Sequence, residues 1–173
     1  MIEIYMDGSS FGNPGPAGWA VAAFVGDGND PFVTASGGFQ NATSAEMEVY
    51  ALYGALYLAF THIVAKYPHE KEYRLYSDNS YVTDSFGVGQ YPNLKSGWMF
   101  KWMKNPGGIE AAGKAHPKLW KKIAHYGEEL YKNDITVTMS WIKAHVGHPR
   151  NEYVDQLAKV KSEEEKRKLK KKT

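Results

Sequence analysis

From Met47 to Ala65 the chain carries one formally charged side chain, Glu48. The stretch is too long for a single strand and too poor in charge for a solvated helix. It must be a helix pressed against the rest of the protein. Leu52, Ala55, Leu56, Ala59 and Ile63 stand four, seven, eight, eleven and fifteen residues after Glu48, on one helical stripe. Thr43-Ser44-Ala45-Glu46 reads as a capping box, with Thr43 as N-cap and Glu46 at N3, so a helix is predicted over Thr43–Ala65. Glu48 lies on its apolar stripe. A carboxylate there is costly unless it is paired or binds a metal, and the helix dipole offers the only ordinary alternative. Glu46 has its cap role, so the chemistry falls on Glu48.

The elements around this helix follow from alternation and turn residues. Ile2–Asp7 alternates as a strand, the turn-rich run 8–16 follows, and Trp19–Val25 and Phe32–Phe39 complete an antiparallel meander. Past the long helix, Tyr73–Ser77 is a fourth strand and Asn79–Ser85 a short helix. Residues 86–115 are irregular, with a helix near Gly97–Lys104. Pro117–Lys132 is helical, Ile135–Ile142 is the fifth strand, and a last helix runs from Asn151 into the tail. This order predicts an α/β domain, a five-stranded mixed sheet flanked by helices. The 173 residues suit one domain, here residues 1–160, with a basic tail at 161–173.

Charge and composition narrow the function. Residues 1–160 hold 14 Lys and Arg against 16 Asp and Glu, whereas 161–173 hold seven against three. Residues 95–122 hold seven lysines against Glu110 alone. A polyanion would meet these basic parts. The absence of cysteine excludes disulfides, thiol nucleophiles and Cys-ligated zinc, and fits a reducing compartment. No secretory signal opens the chain, and the apolar run Val49–Phe60 is short and tyrosine-rich for a bilayer. A cytoplasmic protein with no membrane partner is expected.

Three further carboxylates stand out by position. Asp7 ends the first strand, with turn formation before Gly8 as its bland role. Asp78 ends the fourth strand, where it could cap the following helix. Asp155 lies on the last helix beside Val154, Leu157 and Ala158. Together with Glu48 these residues can converge on one sheet edge. Oxygen donors without Cys select hard cations, Mg²⁺ or Mn²⁺, and two such ions clamp an in-line displacement at phosphorus. His145, in the loop Lys143–Pro149, can shuttle protons beside such a site, and His148 is placed to help start the last helix. An H-x-x-H zinc site lacks further ligands at the right spacing.

These residues resemble a known family. Tyr5-Met6-Asp7-Gly8-Ser9 with Gly12-Asn13-Pro14-Gly15-Pro16-Ala17-Gly18, Met47-Glu48, Ser77-Asp78-Asn79-Ser80-Tyr81-Val82, Trp141–Glu152 and Asp155-Gln156-Leu157-Ala158 resemble, in order, the motifs of type 1 ribonuclease H. The resemblance covers roughly residues 1–160 and implies the ribonuclease H-like fold. It implies an endonuclease that hydrolyses the RNA strand of RNA–DNA hybrids with two Mg²⁺ ions, leaving 5′-phosphate and 3′-hydroxyl ends. It assigns metal binding to Asp7, Glu48, Asp78 and Asp155, and proton transfer or product release to His145. It places Asn13 at the hybrid's minor groove and Thr43 on a DNA phosphate. Members with a basic protrusion carry a Trp- and Lys-rich helix after the third carboxylate. Here Trp98 and Trp102 are four apart, among Lys95, Lys101, Lys104, Lys114, Lys118, Lys121 and Lys122.

Some positions depart from the family pattern. Ser44-Ala45 stands where two asparagines are frequent, Ser80 where a glutamine is frequent, and His116 where an asparagine often holds phosphate. Altered affinity, rather than lost activity, is expected from these changes. Two rivals remain: a structure-specific DNA nuclease of the same fold, and a non-catalytic hybrid-binding module. The tail reads as a solvated or frayed helix end that adds non-specific affinity, on a stand-alone monomer.

Overall fold

The structure, a computed structural model, describes residues 1–95, 97–111 and 115–172, except for the side chains of Glu110 and Ala111. Lys114, one of the lysines assigned to the protrusion, lies outside the described residues. The strands are β1 (Ile2–Ser10), β2 (Gly15–Val25), β3 (Val33–Ala42), β4 (Glu72–Ser77), β5 (Gly89–Gln90) and β6 (Thr136–Trp141). The helices are α1 (Ser44–Leu58), α2 (Val64–Lys66), α3 (Ser80–Phe86), α4 (Trp98–Met103), α5 (Gly108–Ala111), α6 (Pro117–Lys132) and α7 (Pro149–Lys171). A π-turn over Ala59–Ile63 joins α1 to α2, so the long helix runs unbroken from Ser44 to Lys66. Thr43 is its N-cap and accepts the Glu46 N–H at 3.1 Å.

The sheet has the order β3-β2-β1-β4-β6-β5, with β1, β4 and β6 parallel and the other pairs antiparallel. The described strands are therefore six, not five. The added one is the two-residue β5, which pairs with Thr138 and Met139 of β6 and is too short for any alternation to register. The β1–β2 hairpin is also longer than the turn residues suggest. Gly8, Ser9 and Ser10 stay in register with Trp19, Gly18 and Ala17, which confines the turn to the residues between Ser10 and Gly15.

Alternation sorts the two faces. Ile2, Ile4 and Met6 enter the main core with Leu52, Leu56, Ile63 and the α6 residues Trp120 and Ile123. Tyr5 faces the other way, into a smaller cluster with Ala20, Ala22, Phe24, Val154 and Ala158 of α7. The sheet is thus a middle layer, with α1 and α6 on one side and α7 on the other. By length and composition the helix 44–66 could cross a membrane, but its apolar stripe is the core layer of this fold.

The helix α7 does not fray at residue 160. Ser162 is fully buried and lies 3.3 Å from Ser9, Oγ to Oγ. Glycines admit it: a Cβ on Gly18 would stand 2.6 Å from the Ala158 carbonyl, and one on Gly38 2.6 Å from Glu165 Cγ. The expected tail is helix as far as Lys171, packed to Glu165 because β2 and β3 offer a surface without side chains at these two points, and exposed beyond it.

Candidate active site

Parallel pairing builds the site. Tyr5 is opposite Tyr76 in the β1–β4 register, which carried two residues further brings Asp7 beside Asp78 at the carboxyl ends of adjacent strands. Open α/β sheets place ligands at that end. Gly8 supplies the next step. It follows Ile4 and Met6 on the α1-facing side, and a Cβ there would stand 2.7 Å from the Glu48 nitrogen. The missing side chain lets the first turn of α1 touch β1 and sets Glu48 next to Asp7. One oxygen from each of Asp7, Glu48 and Asp78 lies within 4.8 Å of the others.

The bland roles of these carboxylates are taken by neighbours. Asn79, not Asp78, caps α3, accepting the Val82 N–H at 3.1 Å. Asp7 sits inside a paired strand rather than opening a turn. Asp7 is 5% exposed and Glu48 7%, and Glu48 Oε2 has no hydrogen-bond partner among the described residues. Burial, then the negative charge of Asp78, pushes the Asp7 carboxyl up to about 7, against a partial offset from Glu48 and the Gly8 N–H. Burial, then Asp7, raises Glu48 well above the usual carboxylate range. Carboxylates gathered in this way repel one another until a cation joins them. Three hard oxygen donors and an orphaned buried oxygen fit a divalent metal.

Asp155 lies outside that group of three. It adds the smallest part of the upward push on the Asp7 carboxyl and receives a 2.7 Å ion pair from Lys159, one turn on. Its place on α7 puts it at the Asp7 side of the cluster. His145 is exposed, in the left-handed region with φ 54°, in the loop between β6 and α7. That loop joins the strand beside Asp78 to the helix of Asp155.

Sequence reasoning missed two supports. The Asn151 side-chain amide donates to Asp78 Oδ2 at 3.2 Å and is itself buried. The Trp141 indole N–H donates to the Asp78 carbonyl at 3.0 Å. Both fall within a motif that the resemblance quotes, yet neither residue type titrates, so neither drew attention as chemistry. Arg150, whose side chain is largely buried, pairs with Glu3 and donates to the carbonyls of Gly26 and Gly28 at 2.6 and 2.7 Å. It fixes the first turn of α7 and so the position of Asn151.

The expected nucleic-acid contacts divide. Asn13 Oδ1 accepts the Ser44 N–H at 3.2 Å, which joins the β1–β2 turn to the α1 cap beside Thr43 as one rim. Ser80 is exposed at the start of α3. Trp98 is 40% exposed, and Lys101 and Lys104 are exposed with it on or just after α4. Trp102 corrects the expectation. It is 8% exposed and packs edge-on to Trp120 at 5.5 Å, so it anchors α4 to the core rather than presenting an indole. The two tryptophans share a helix face, but only Trp102 reaches Trp120, and Trp98, at the first residue of α4, is left exposed. His116 has φ 60° at the α6 N-cap position, and its side chain makes no cap bond.

Comparison with known proteins gives a consistent answer. A family model described as RNase H matches residues 1–163. The ribonuclease H of Rhizobium johnstonii is 34% identical over 161 residues, covering 91% of this chain and 89% of its own. The ribonuclease HI of Brucella melitensis is 36% identical over 162 residues, covering 92% and 88%. Among solved structures, the N-terminal RNase H domain of a Mycobacterium tuberculosis protein superposes with a TM-score of 0.63 at 21% identity, over 97% of each chain. LC11-RNase H1, solved in complex with an RNA/DNA hybrid, gives 0.58 at 21% identity over 92% of this chain and 97% of its own.

Proposed function

The chain belongs to the RNase H family and is a ribonuclease H, and on that premise we propose that it is an endonuclease cutting the RNA strand of RNA–DNA hybrids with two divalent cations. Mg²⁺ is the expected ion and Mn²⁺ a substitute, the products carry 5′-phosphate and 3′-hydroxyl ends, and the enzyme works as a cytoplasmic monomer. The observation that carries this reading is the group of buried Asp7 and Glu48 with half-buried Asp78, whose oxygens lie within 4.8 Å of one another.

Asp7, Glu48, Asp78 and Asp155 would hold the cations. Bound there, the cations would activate a water as nucleophile and stabilise the leaving 3′-oxygen. The protein does the rest. Asp7, with neighbours on both sides, is the carboxylate shared by the site. Asn151 and Trp141 fix Asp78 from its side chain and its backbone. His145, exposed on its loop, exchanges a proton with the leaving group and helps release product. The Asn13–Ser44 rim reads the minor groove, where the 2′-hydroxyl distinguishes RNA from DNA. Thr43 on that rim, with Trp98, Lys101 and Lys104 on the protrusion, holds the DNA strand through its phosphates and sugars.

An end-labelled RNA–DNA hybrid, duplex RNA, duplex DNA and single strands, each titrated with Mg²⁺ and Mn²⁺, test this. Cutting confined to the hybrid's RNA, and lost in Asp7→Asn, is the expected result. Cleavage of all-DNA substrates, or hybrid binding without cutting in either ion, would overturn it.

A further inference from the structure

Beyond Glu165 every charged residue of the chain is basic, and Lys166, Arg167, Lys168, Lys170, Lys171 and Lys172 are all exposed. The acids before them are largely engaged: Glu164 pairs with Lys161, and Glu165 lies against Gly38 and pairs with Lys168. A solvated basic helix end would be unremarkable, but this one is docked. Lys166 Nζ lies 4.3 Å from the centre of the Phe11 ring. Lys172 Nζ donates to Gln40 Oε1 at 3.0 Å.

Both docking points belong to the rim already described. Phe11 opens the turn that carries Asn13, and Gln40 stands on β3 three residues before Thr43. Asn13 is bonded to Ser44 across that rim. On α7, Lys166 and Lys170 follow Ser162 at four-residue steps, on the side that meets Ser9 and Phe11. Arg167 flanks them.

We propose that the C-terminal end of α7 is a second phosphate-binding surface, which engages duplex continuing past the Asn13–Thr43 rim through Lys166, Arg167 and Lys170. This rests on the hybrid-nuclease reading above and adds a reach to it. At about 1.5 Å per residue, Lys166 and Lys170 stand about 16 and 22 Å along α7 from Asp155. Each strand of a duplex advances about 3.4 Å per nucleotide, so the contacts fall about five to seven base pairs from the cut. They lie to one side of it only, because the basic helix α4 packs elsewhere, on α3, on Tyr91 just after β5 and on Trp120 of α6.

The test combines Lys166→Gln, Arg167→Gln and Lys170→Gln in the full chain, on an Asp7→Asn background so that RNA stays intact while binding is read. Hybrids of about eight base pairs, and hybrids of about twenty extended on one or the other side of a fixed cleavage site, are compared at about 50 and 200 mM salt. On one of the two long hybrids, affinity at low salt should fall tenfold or more, and the slope of log affinity against log salt should drop by about one per lost contact. The short hybrid should bind as before. Replacing the same three positions with Lys or Arg of the other kind should retain binding, and an unchanged thermal midpoint excludes a folding defect. Equal affinity and slope on every hybrid would overturn the proposal, as would an equal loss on the short hybrid. Wild-type protein that cuts no hybrid of any length would instead sink the nuclease reading itself.

Discussion

Replacing Asp7 with Asn should make the metal-free protein more stable and the enzyme inactive. Burial and Asp78 move the Asp7 carboxyl from 3.8 to about 7. At about 1.36 kcal/mol per unit, ionising it in the fold costs about 4 kcal/mol at most. Glu48 shares the repulsion and takes up part of the titration, so about 2 kcal/mol is the working value. The sign follows from linkage. A carboxyl whose folded pKa lies above its unfolded one stabilises the fold while protonated, fully so below about pH 3.8, and loses that contribution as pH rises through about 7. Asparagine has nothing to ionise. In a chelator, the two proteins should therefore melt together near pH 4, and the variant should melt about 4–8 °C higher above pH 8. Adding Mg²⁺ should raise the wild-type midpoint and leave the variant nearly unmoved. Thermal melts by circular dichroism across this pH range check it. A variant that melts at or below wild type at pH 8 without metal would refute the reasoning, as would a gap that does not change with pH.

Other substitutions separate support from contact. Asn151→Ala removes the hydrogen bond that orients Asp78 and should raise the Mg²⁺ concentration for half-maximal cleavage by about 10–100-fold, read from rate against metal. Gly8→Ala puts a Cβ 2.7 Å from the Glu48 nitrogen, so α1 must shift and cleavage should drop by at least about tenfold, whereas Gly28→Ala, where a Cβ meets open space and φ is not positive, should leave the rate unchanged. Trp102→Ala opens a cavity against Trp120 and should cost about 3–5 kcal/mol in urea unfolding. Trp98→Ala should leave that unfolding within about 0.5 kcal/mol of wild type and weaken hybrid binding by about 1–3 kcal/mol instead.

Much of this was legible in the chain because it was written locally. The apolar stripe from Leu52 to Ile63 and the Thr43 cap define the long helix, and Glu48 is conspicuous there as the one charge on a face that turns out to be core. What was not legible depends on partners far away in sequence. Trp98 and Trp102 look alike until Trp120 takes one of them. Residues 161–165 look like part of a loose basic tail until Gly18 and Gly38, over a hundred residues earlier, give them a surface to lie on. Gly89 and Gln90 are a strand only because β6 has a free edge beside them. Asn151 and Trp141 act on Asp78 through neutral hydrogen bonds, which no count of charges would single out.

The parallel order of β1, β4 and β6 has a consequence for synthesis. Asp7, Glu48 and Asp78 all belong to the first half of the chain, but Asn151 and Asp155 come near its end, on the helix after β6. Strand β4 has β6 as its outer neighbour, and nothing earlier in the chain takes that edge. A nascent chain halted before β6 would hold three of the four carboxylates without the pairing, the helix or the hydrogen bond that set them. The full set of site residues therefore comes together only when nearly all of the chain has been made.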